Sequence, residues 1–163
     1  MPIIEDPDRL VWRFRVTGDE AELCECPGEA LDPPQDWVAA VVAVARDLRC
    51  WRFGREIDPQ RLLWELSVGG EYSMRVGWST GAGVGGFAVG HGLPLDASRC
   101  AAAVWVADVV QAELAGYEFV QWPSRGRHLL SPRQIDDSAV WIDPHTDAVV
   151  AQIGDLCATA THW

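Results

Sequence analysis

Lysine and asparagine are both absent from the 163 residues of this sequence, so every one of the 13 basic residues is arginine. Both missing amino acids have A-rich codons, while alanine, glycine, valine and tryptophan are plentiful. The composition therefore predicts that the chain comes from a high-GC bacterium or from a phage of such a bacterium. This conclusion concerns codon usage and excludes no class of function.

Long apolar segments and an excess of basic charge are also missing. The longest uninterrupted apolar run, 37–45, is about half of what a membrane-spanning helix needs, and the acidic, polar stretch up to Arg9 shows no signal-peptide pattern. With 24 acidic residues against 13 basic ones, the net charge is -11. Direct binding to nucleic acid or to a membrane is disfavoured, because phosphate groups need a basic surface. We interpret the charge chiefly as a source of solubility, and it leaves open a cationic partner, including mimicry of nucleic acid toward a DNA-binding protein.

Cysteine is too scarce and too irregularly spaced for a disulfide framework. The five cysteines are Cys24, Cys26, Cys50, Cys100 and Cys157. An odd number without regular spacing predicts reduced thiols and hence a cytoplasmic location.

What is present indicates one α+β domain, with mostly antiparallel sheets built from hairpins and two apolar helices packed on the sheet. Apolar and polar residues alternate over 10–16, and Gly69-Gly70 separates two strand-like runs at 61–68 and 71–78. The predicted order is a β-hairpin and helix at 10–50, a β-meander and glycine loop at 61–92, a helix at 96–115 and a β-rich tail at 117–156.

The ends of the two helices are predicted from capping residues. Asp32, Pro33 and Gln35 form the pattern of a capping box for the first helix. Asp96 is the expected N-cap of the second helix, and Gly116 is its expected C-terminal stop.

The glycine-rich loop contains the string G-x-G-x-x-G at Gly81, Gly83 and Gly86. A dinucleotide site requires a helix directly after such a loop, and here the helix is delayed by about ten residues. We therefore favour a flexible hairpin loop that presents backbone to a ligand or partner, and no cofactor is predicted.

A nucleophile and a base flank the same loop. Ser79 precedes it and His91 follows it, which gives a hydrolase hypothesis without a recognised nucleophile motif. A histidine in an ordinary loop is the simpler interpretation.

Four arginines recur every third residue, at Arg46, Arg49, Arg52 and Arg55, next to aromatic residues. Such a patch can bind phosphate or an acidic peptide. The alternative, which we favour, is pairing within the protein, with Asp47, Glu56 and Asp58 as the nearest carboxylates.

Residues with metal-binding side chains are scattered. Cys24 and Cys26 share a strand face, but a tetrahedral zinc site needs about two more ligands, so buried structural cysteines are favoured. Asp143, His145 and Asp147 alternate across a turn that lacks the rest of a calcium loop. We predict no metal.

The tail contains Trp122-Pro123, His128-Leu129-Leu130, the run Ala139 to Pro144, and Ile153-Gly154-Asp155-Leu156. It resembles the C-terminal part of a group of uncharacterised actinobacterial proteins with Trp-Pro, Cys-Pro, Trp-x-Cys-Pro and Ile-Gly-x-Leu segments. Ser124 and Asp143 stand where the resemblance places cysteines, so only His128 remains of a thiolate and histidine set. The resemblance implies shared packing and transfers no activity.

Taken together, these patterns predict a non-catalytic cytoplasmic module that binds a protein partner, with some of the 9 tryptophans as exposed anchors. A small-molecule binder or hydrolase at the 79–92 loop and an acidic nucleic-acid mimic are the alternatives. The oligomeric state stays open.

Overall fold

A computed structural model describes residues 9–25, 32–69, 72–81, 83–126 and 128–160, which form an α+β fold. The strands are β1 (Leu10–Thr17), β2 (Glu20–Glu25), β3 (Phe53–Gly54), β4 (Trp64–Val68), β5 (Ser73–Trp78), β6 (Phe87–Pro94), β7 (Val120–Gln121), β8 (Ser124–Arg125), β9 (His128–Leu129), β10 (Ser131–Ile135), β11 (Ser138–Ile142) and β12 (Val149–Gln152). The helices are α1 (Gln35–Asp47), α2 (Arg99–Tyr117) and α3 (Leu156–Ala160), with a short 3-10 helix at Pro59–Arg61.

The largest sheet has five antiparallel strands in the order β2-β1-β4-β5-β6. Its inner face is apolar because every second residue of β1, β4 and β5 is buried, as the alternation in the sequence predicts. These residues are Trp12, Phe14, Val16, Trp64, Leu66, Val68, Met74, Val76 and Trp78. The two predicted hairpins, β1–β2 and β4–β5, are confirmed.

The predicted caps of the helices are wrong. Pro34 is the N-cap of α1, without a side-chain hydrogen bond, and Asp32 lies outside the helix. The residue before a proline is disfavoured in helical conformation, so Pro33 cannot begin a helix ahead of Pro34. In α2 the capping side chain is that of Ser98, whose Oγ accepts from the amide of Ala101 at 3.1 Å.

The C-terminal end of α2 also differs from the prediction. The helix continues through Gly116 to Tyr117, and Glu118 is its C-cap.

Helix α2 lies between α1 on one side and the three-stranded sheet β10-β11-β12 on the other. This position explains why the helix is apolar around most of its circumference, since a helix that is covered on several sides has no solvated face. The strands of the large sheet, both long helices and the tail contribute to one continuous apolar core.

The predicted tail strands near 118–121, 139–142 and 148–153 are confirmed as β7, β11 and β12. Sequence reasoning missed β10, which contains Pro132. Proline is tolerated there because β10 is an edge strand and its missing N–H breaks no ladder. No helix in the described part of the chain is long and apolar enough to cross a membrane.

Asp47, the last residue of α1, joins that helix to the tail and is completely buried. Its Oδ2 accepts hydrogen bonds from Trp141 Nε1 and from the amide of Gly154, both at 2.7 Å. Its Oδ1 accepts from the amide of Leu156 at 3.0 Å, and its carbonyl oxygen accepts from Trp122 Nε1 at 3.0 Å.

A disulfide bond between Cys50 and Cys157 lies beside this carboxylate, with a Cα–Cα distance of 5.6 Å. The prediction that all cysteines are reduced is therefore wrong for this pair. The two residues are 107 positions apart, and only the docking of the tail on the end of α1 brings them together.

Candidate functional site

The four regularly spaced arginines are each engaged within the protein. Arg46 Nε lies 3.1 Å from Asp19 Oδ1, Arg49 and Arg52 donate to backbone carbonyl oxygens, and Arg55 pairs with Glu118. The specific partners predicted from the sequence, Asp47, Glu56 and Asp58, are wrong, because the carboxylates that these guanidinium groups reach come from distant parts of the chain.

The glycine loop is a hairpin connection between β5 and β6, and no helix follows it until Arg99. The dinucleotide pattern therefore lacks the helix N-terminus that it requires. Gly81 and Val84 exchange two backbone hydrogen bonds, at 3.0 and 2.9 Å, and the amide of Gly86 donates to Thr80 Oγ1 at 3.0 Å. Positive φ angles of 146° at Gly81 and 85° at Gly83 explain why glycine occupies these two positions.

Ser79 and His91 lie far apart along the β5–β6 hairpin. Ser79 follows Trp78, which pairs with Phe87, whereas His91 follows Gly90, which pairs with Arg75. Their backbones are separated by about five strand positions, or roughly 17 Å at the rise of an antiparallel strand. The strand register does not bring this pair together as a nucleophile and its base.

Cys24 is exposed, so the prediction of a buried cysteine is wrong for this residue; Cys26 lies outside the described residues. The reason is that β2 is an edge strand with almost no buried side chain. His128 is exposed and its ring lies 4.0 Å from that of His145, centroid to centroid. Within the described ranges, no three His, Cys, Asp or Glu side chains are grouped as metal ligands.

No tryptophan among the eight that the structure describes is exposed, so the expectation of tryptophan anchors is wrong for these eight; Trp163 lies outside the described residues. The exposed aromatic side chains are phenylalanine and tyrosine. Phe53, Tyr117 and Phe119 are 71, 75 and 78 % exposed, and we call these three residues the aromatic patch. No sequence signal separates them from core residues, since phenylalanine and, to a lesser degree, tyrosine are often buried.

Strand pairing brings the backbone of Phe53 close to the segment that carries Phe119, and Tyr117 lies two residues before Phe119. Phe53 pairs with Gln121 and Gly54 with Val120 in the β3–β7 ladder, so Phe53 lies next to the segment that carries Phe119. A Cβ atom at Gly54 would lie 2.3 Å from the carbonyl oxygen of Phe119, and only glycine permits this approach.

The backbone of Phe119 is held in an unusual conformation, with a φ of 56°. This left-handed region is uncommon for a bulky side chain. Phe119 therefore combines backbone strain with an apolar side chain in water, and both are unfavourable for the isolated protein.

An ion pair between the partly exposed Arg55 and the buried Glu118 fixes the segment before Phe119. The carboxylate of Glu118 is 8 % exposed; it pairs with the Arg55 guanidinium, and its Oε1 accepts from the amide of Gly85 at 2.8 Å. Arg55 Nε also donates to the carbonyl oxygen of Glu118 at 3.2 Å. Burial, followed by the charge of Glu118, raises the pKa of Glu113, which places a second carboxyl group beside this pair.

A cleft of about 480 Å³ opens at the other end of the glycine loop. It is lined by Arg15, Gln60, Arg61, Leu63, Ser79, Thr80 and Gly81. Ser79 and Gly81, two residues selected from the sequence, therefore share a concave surface with two arginines that sequence reasoning did not select.

Neither the sequence nor the fold leads to a known group: the chain matches no protein-family model, no curated protein and no solved structure. The resemblance of the tail to actinobacterial proteins stays a prediction.

Proposed function

We propose that this chain is a non-catalytic protein-binding module and that the aromatic patch is its contact surface. The observation that carries the proposal is the cluster of Phe53, Tyr117 and Phe119, each more than two-thirds exposed, on a backbone fixed by the Arg55–Glu118 pair. Exposed aromatic residues that lie together are typical of protein interfaces, where they supply most of the binding free energy.

The strain at Phe119 supports the same proposal. Unfavourable backbone conformations concentrate at functional sites, where the cost in stability is offset by an interaction made elsewhere. Glycine at position 119 would remove both the backbone strain and the exposed ring, yet the chain has phenylalanine there. The patch therefore lowers the stability of the isolated protein and contributes favourable binding free energy once a partner covers it.

The charge around the patch defines the partner. Glu118 next to the patch is neutralised by Arg55, so the negative charge that a partner meets is that of Glu113 and of the whole chain, which is -11. We propose a partner with an apolar pocket whose rim is basic, since complementary charge accelerates association and excludes wrong partners.

Phe119→Gly is the most direct test. Glycine adopts a φ of 56° freely, so we expect the free energy of unfolding to stay unchanged or to rise by up to about 1 kcal/mol. Binding of the partner should be lost, because the ring at the centre of the patch is removed. Urea unfolding measures the first quantity, and affinity capture from a high-GC bacterial lysate measures the second.

Tyr72→Gly is the matched control, because Tyr72 is also an aromatic residue at positive φ (56°), is 69 % exposed, and lies outside the patch at the β4–β5 turn. We expect the unmodified chain and Tyr72→Gly to capture the same partner protein in stoichiometric amounts. Phe119→Gly should not capture it. A partner retained equally by both variants, or no stoichiometric partner at all, would contradict the proposal.

We propose the cytoplasm as the location of this interaction, as the composition of the chain predicts. That prediction depended on reduced cysteines, and the Cys50–Cys157 disulfide weighs against a reducing compartment. Rapid alkylation of thiols in intact cells, followed by mass spectrometry of this cysteine pair, tests it. Recovery of the pair mainly as the disulfide would overturn a cytoplasmic location.

A further inference from the structure

The outer face of the five-stranded sheet carries arginines, although the protein as a whole is acidic. Arg13 and Arg15 project from β1 and Arg75 from β5, on the side opposite the apolar core. The contact of Arg13 Nε with Glu65 Oε2 of β4, at 3.2 Å, and the packing of the Arg75 side chain over Gly90 of β6 confirm the orientation. This face was not visible in the sequence because its strands are up to about sixty residues apart.

Arg15 of this face and Arg61, from a separate element, line one cleft. Arg15 lies on β1, and Arg61 ends the 3-10 helix that leads into β4. Both line the 480 Å³ cleft together with the hydroxyl-bearing residues Ser79 and Thr80. The volume lies in the range of small-molecule sites, and none of the seven lining residues is acidic.

The guanidinium groups in the cleft are poorly satisfied by the protein. Arg61 makes no side-chain hydrogen bond or ion pair with any residue that the structure describes. Among the described residues, Arg15 reaches only the Cys24 sulfur, at 3.8 Å, and it faces Glu22 across the β1–β2 ladder without an ion pair. The nearby carboxylates of Glu25 and Glu65 are occupied by Arg13.

The hydroxyl groups complete a set of donors. Thr80 Oγ1 accepts from the amide of Gly86, so its own proton is free to donate. Ser79 is half-buried, and its amide is held by the carbonyl oxygen of Leu63 at 3.0 Å. Leu63 supplies an apolar wall on the same side of the cleft.

We propose that this cleft binds a small phosphomonoester, with its phosphate group between Arg15 and Arg61 and its organic part against Leu63. Arginine presents two parallel N–H donors that match phosphate oxygens, and serine and threonine hydroxyls donate to the remaining oxygens. The ligand is a small molecule, because the surrounding charge of -11 repels an extended polyanion such as a nucleic acid. This site is separate from the protein-binding function proposed for the aromatic patch.

Calorimetric titration of the full chain with phenyl phosphate tests the proposal, with inorganic phosphate as a second probe and chloride holding the ionic strength constant. We expect saturable binding at one site. Arg61→Gln should weaken it by roughly ten- to hundred-fold, because a charge-assisted hydrogen bond to the phosphate is lost. Arg61 is exposed and has no ion-pair partner in the part of the chain that the structure describes, so this variant should unfold at the same temperature as the unmodified protein.

Arg75→Gln is the matched control, since Arg75 lies on the same sheet face as Arg15 and has no ion pair with any described residue but does not line the cleft. It should bind phenyl phosphate as well as the unmodified protein does. Ser79→Ala should also weaken the binding of phenyl phosphate, and this substitution removes a hydroxyl donor without changing the charge. Phe119→Gly should bind phenyl phosphate normally, which separates this site from the aromatic patch.

Three outcomes would overturn the proposal. The first is the absence of saturable binding of either probe. The second is an equal loss in Arg75→Gln and Arg61→Gln, which would indicate general attraction to the basic face. The third is tighter binding of a short single-stranded oligonucleotide than of phenyl phosphate, which would indicate a polyanion as the natural ligand.

Discussion

At the scale of single residues, Asp47 has the least expected environment. It is a fully buried carboxylate whose oxygens are satisfied by two backbone amides and one indole N–H and by no arginine. Burial raises the pKa of Asp47 to about 6, although the hydrogen bonds from Gly154, Trp141 and Leu156 oppose that rise. The residue therefore titrates within the range in which many proteins are purified and stored.

Stability should depend on pH through this residue. The folded pKa of Asp47 lies above its ordinary value of 3.8, so the folded state holds the proton more tightly than the unfolded state does. The contribution of this proton to the free energy of unfolding is fully present below about pH 4 and is lost as the pH rises through 6. The total loss is roughly 3 kcal/mol. Urea unfolding of the unmodified protein and of Asp47→Asn, between pH 4 and 7, measures it.

We expect the unmodified protein to lose stability relative to Asp47→Asn as the pH rises from 4 to 6, with little further change above. Asp108→Asn, which alters an exposed carboxylate in α2, should show no such relative change. A difference between the unmodified protein and Asp47→Asn that stays constant across this range would contradict the interpretation.

A comparison of two buried tryptophans can measure how much one hydrogen bond contributes to stability. Trp141 and Trp64 are both fully buried, and each makes an edge-to-face contact with another tryptophan, at 5.1 and 5.2 Å between ring centroids. Trp141 Nε1 donates to Asp47, whereas Trp64 Nε1 has no acceptor among the described residues. Replacement by phenylalanine removes the same atoms from both.

Trp141→Phe should therefore be less stable than Trp64→Phe by roughly 1.5–3 kcal/mol, the range for a hydrogen bond to a charged group. Thermal or urea unfolding of the two variants near pH 7, where Asp47 is ionised, gives the difference. Equal losses would mean that the indole of Trp141 contributes through its packing alone.

At the scale of elements, the structure depends on the attachment of the tail to the C-terminal end of α1. Leu156 begins α3 and donates its amide to Asp47, and Cys157 follows it in the disulfide to Cys50. A covalent link and a buried carboxylate thus hold the same junction. The loop that the disulfide closes spans most of the chain.

Removal of the disulfide should lower the free energy of unfolding by about 2–4 kcal/mol, because the unfolded chain regains the freedom that this long loop restricts. Cys157→Ser and reduction of the unmodified protein should give similar losses in urea unfolding. Cys100→Ser, at a free cysteine, should have little effect. A reductant that destabilises Cys157→Ser further would show that another thiol is responsible.

Local patterns predicted the elements well and their long-range contacts poorly. Alternation over 10–16 and the glycine pair at 69–70 located two hairpins, since both signals arise from neighbouring residues. The donors to Asp47 lie 94 to 109 residues away, and no local pattern contains them. The cleft was missed for the same reason: Arg15 and Arg61 meet only because β1 pairs with β4.

At the scale of the whole molecule, the glycine loop connects the two proposed binding surfaces. Gly81 lines the cleft, whereas Gly83 and Gly85 contact Arg55 and Glu118 beneath the aromatic patch. The loop selected from the sequence thus lies between the two surfaces, although neither uses the glycines in the way that a dinucleotide site would. The cleft lining, with two arginines and no acidic residue, also shows that a net charge of -11 conceals a local excess of the opposite sign.

The connection between Asp47 and the tail also has a consequence for synthesis on the ribosome. Leu156 is translated 109 residues after Asp47, which takes roughly 5–20 s at ordinary bacterial rates. During that interval the side chain of Asp47 lacks its hydrogen-bond donors, and Cys50 lacks its disulfide partner. The carboxylate of Asp47 therefore stays in contact with water. The nascent chain therefore cannot complete its core in stages from the N-terminus, and the final packing of α1 begins only when the tail leaves the exit tunnel.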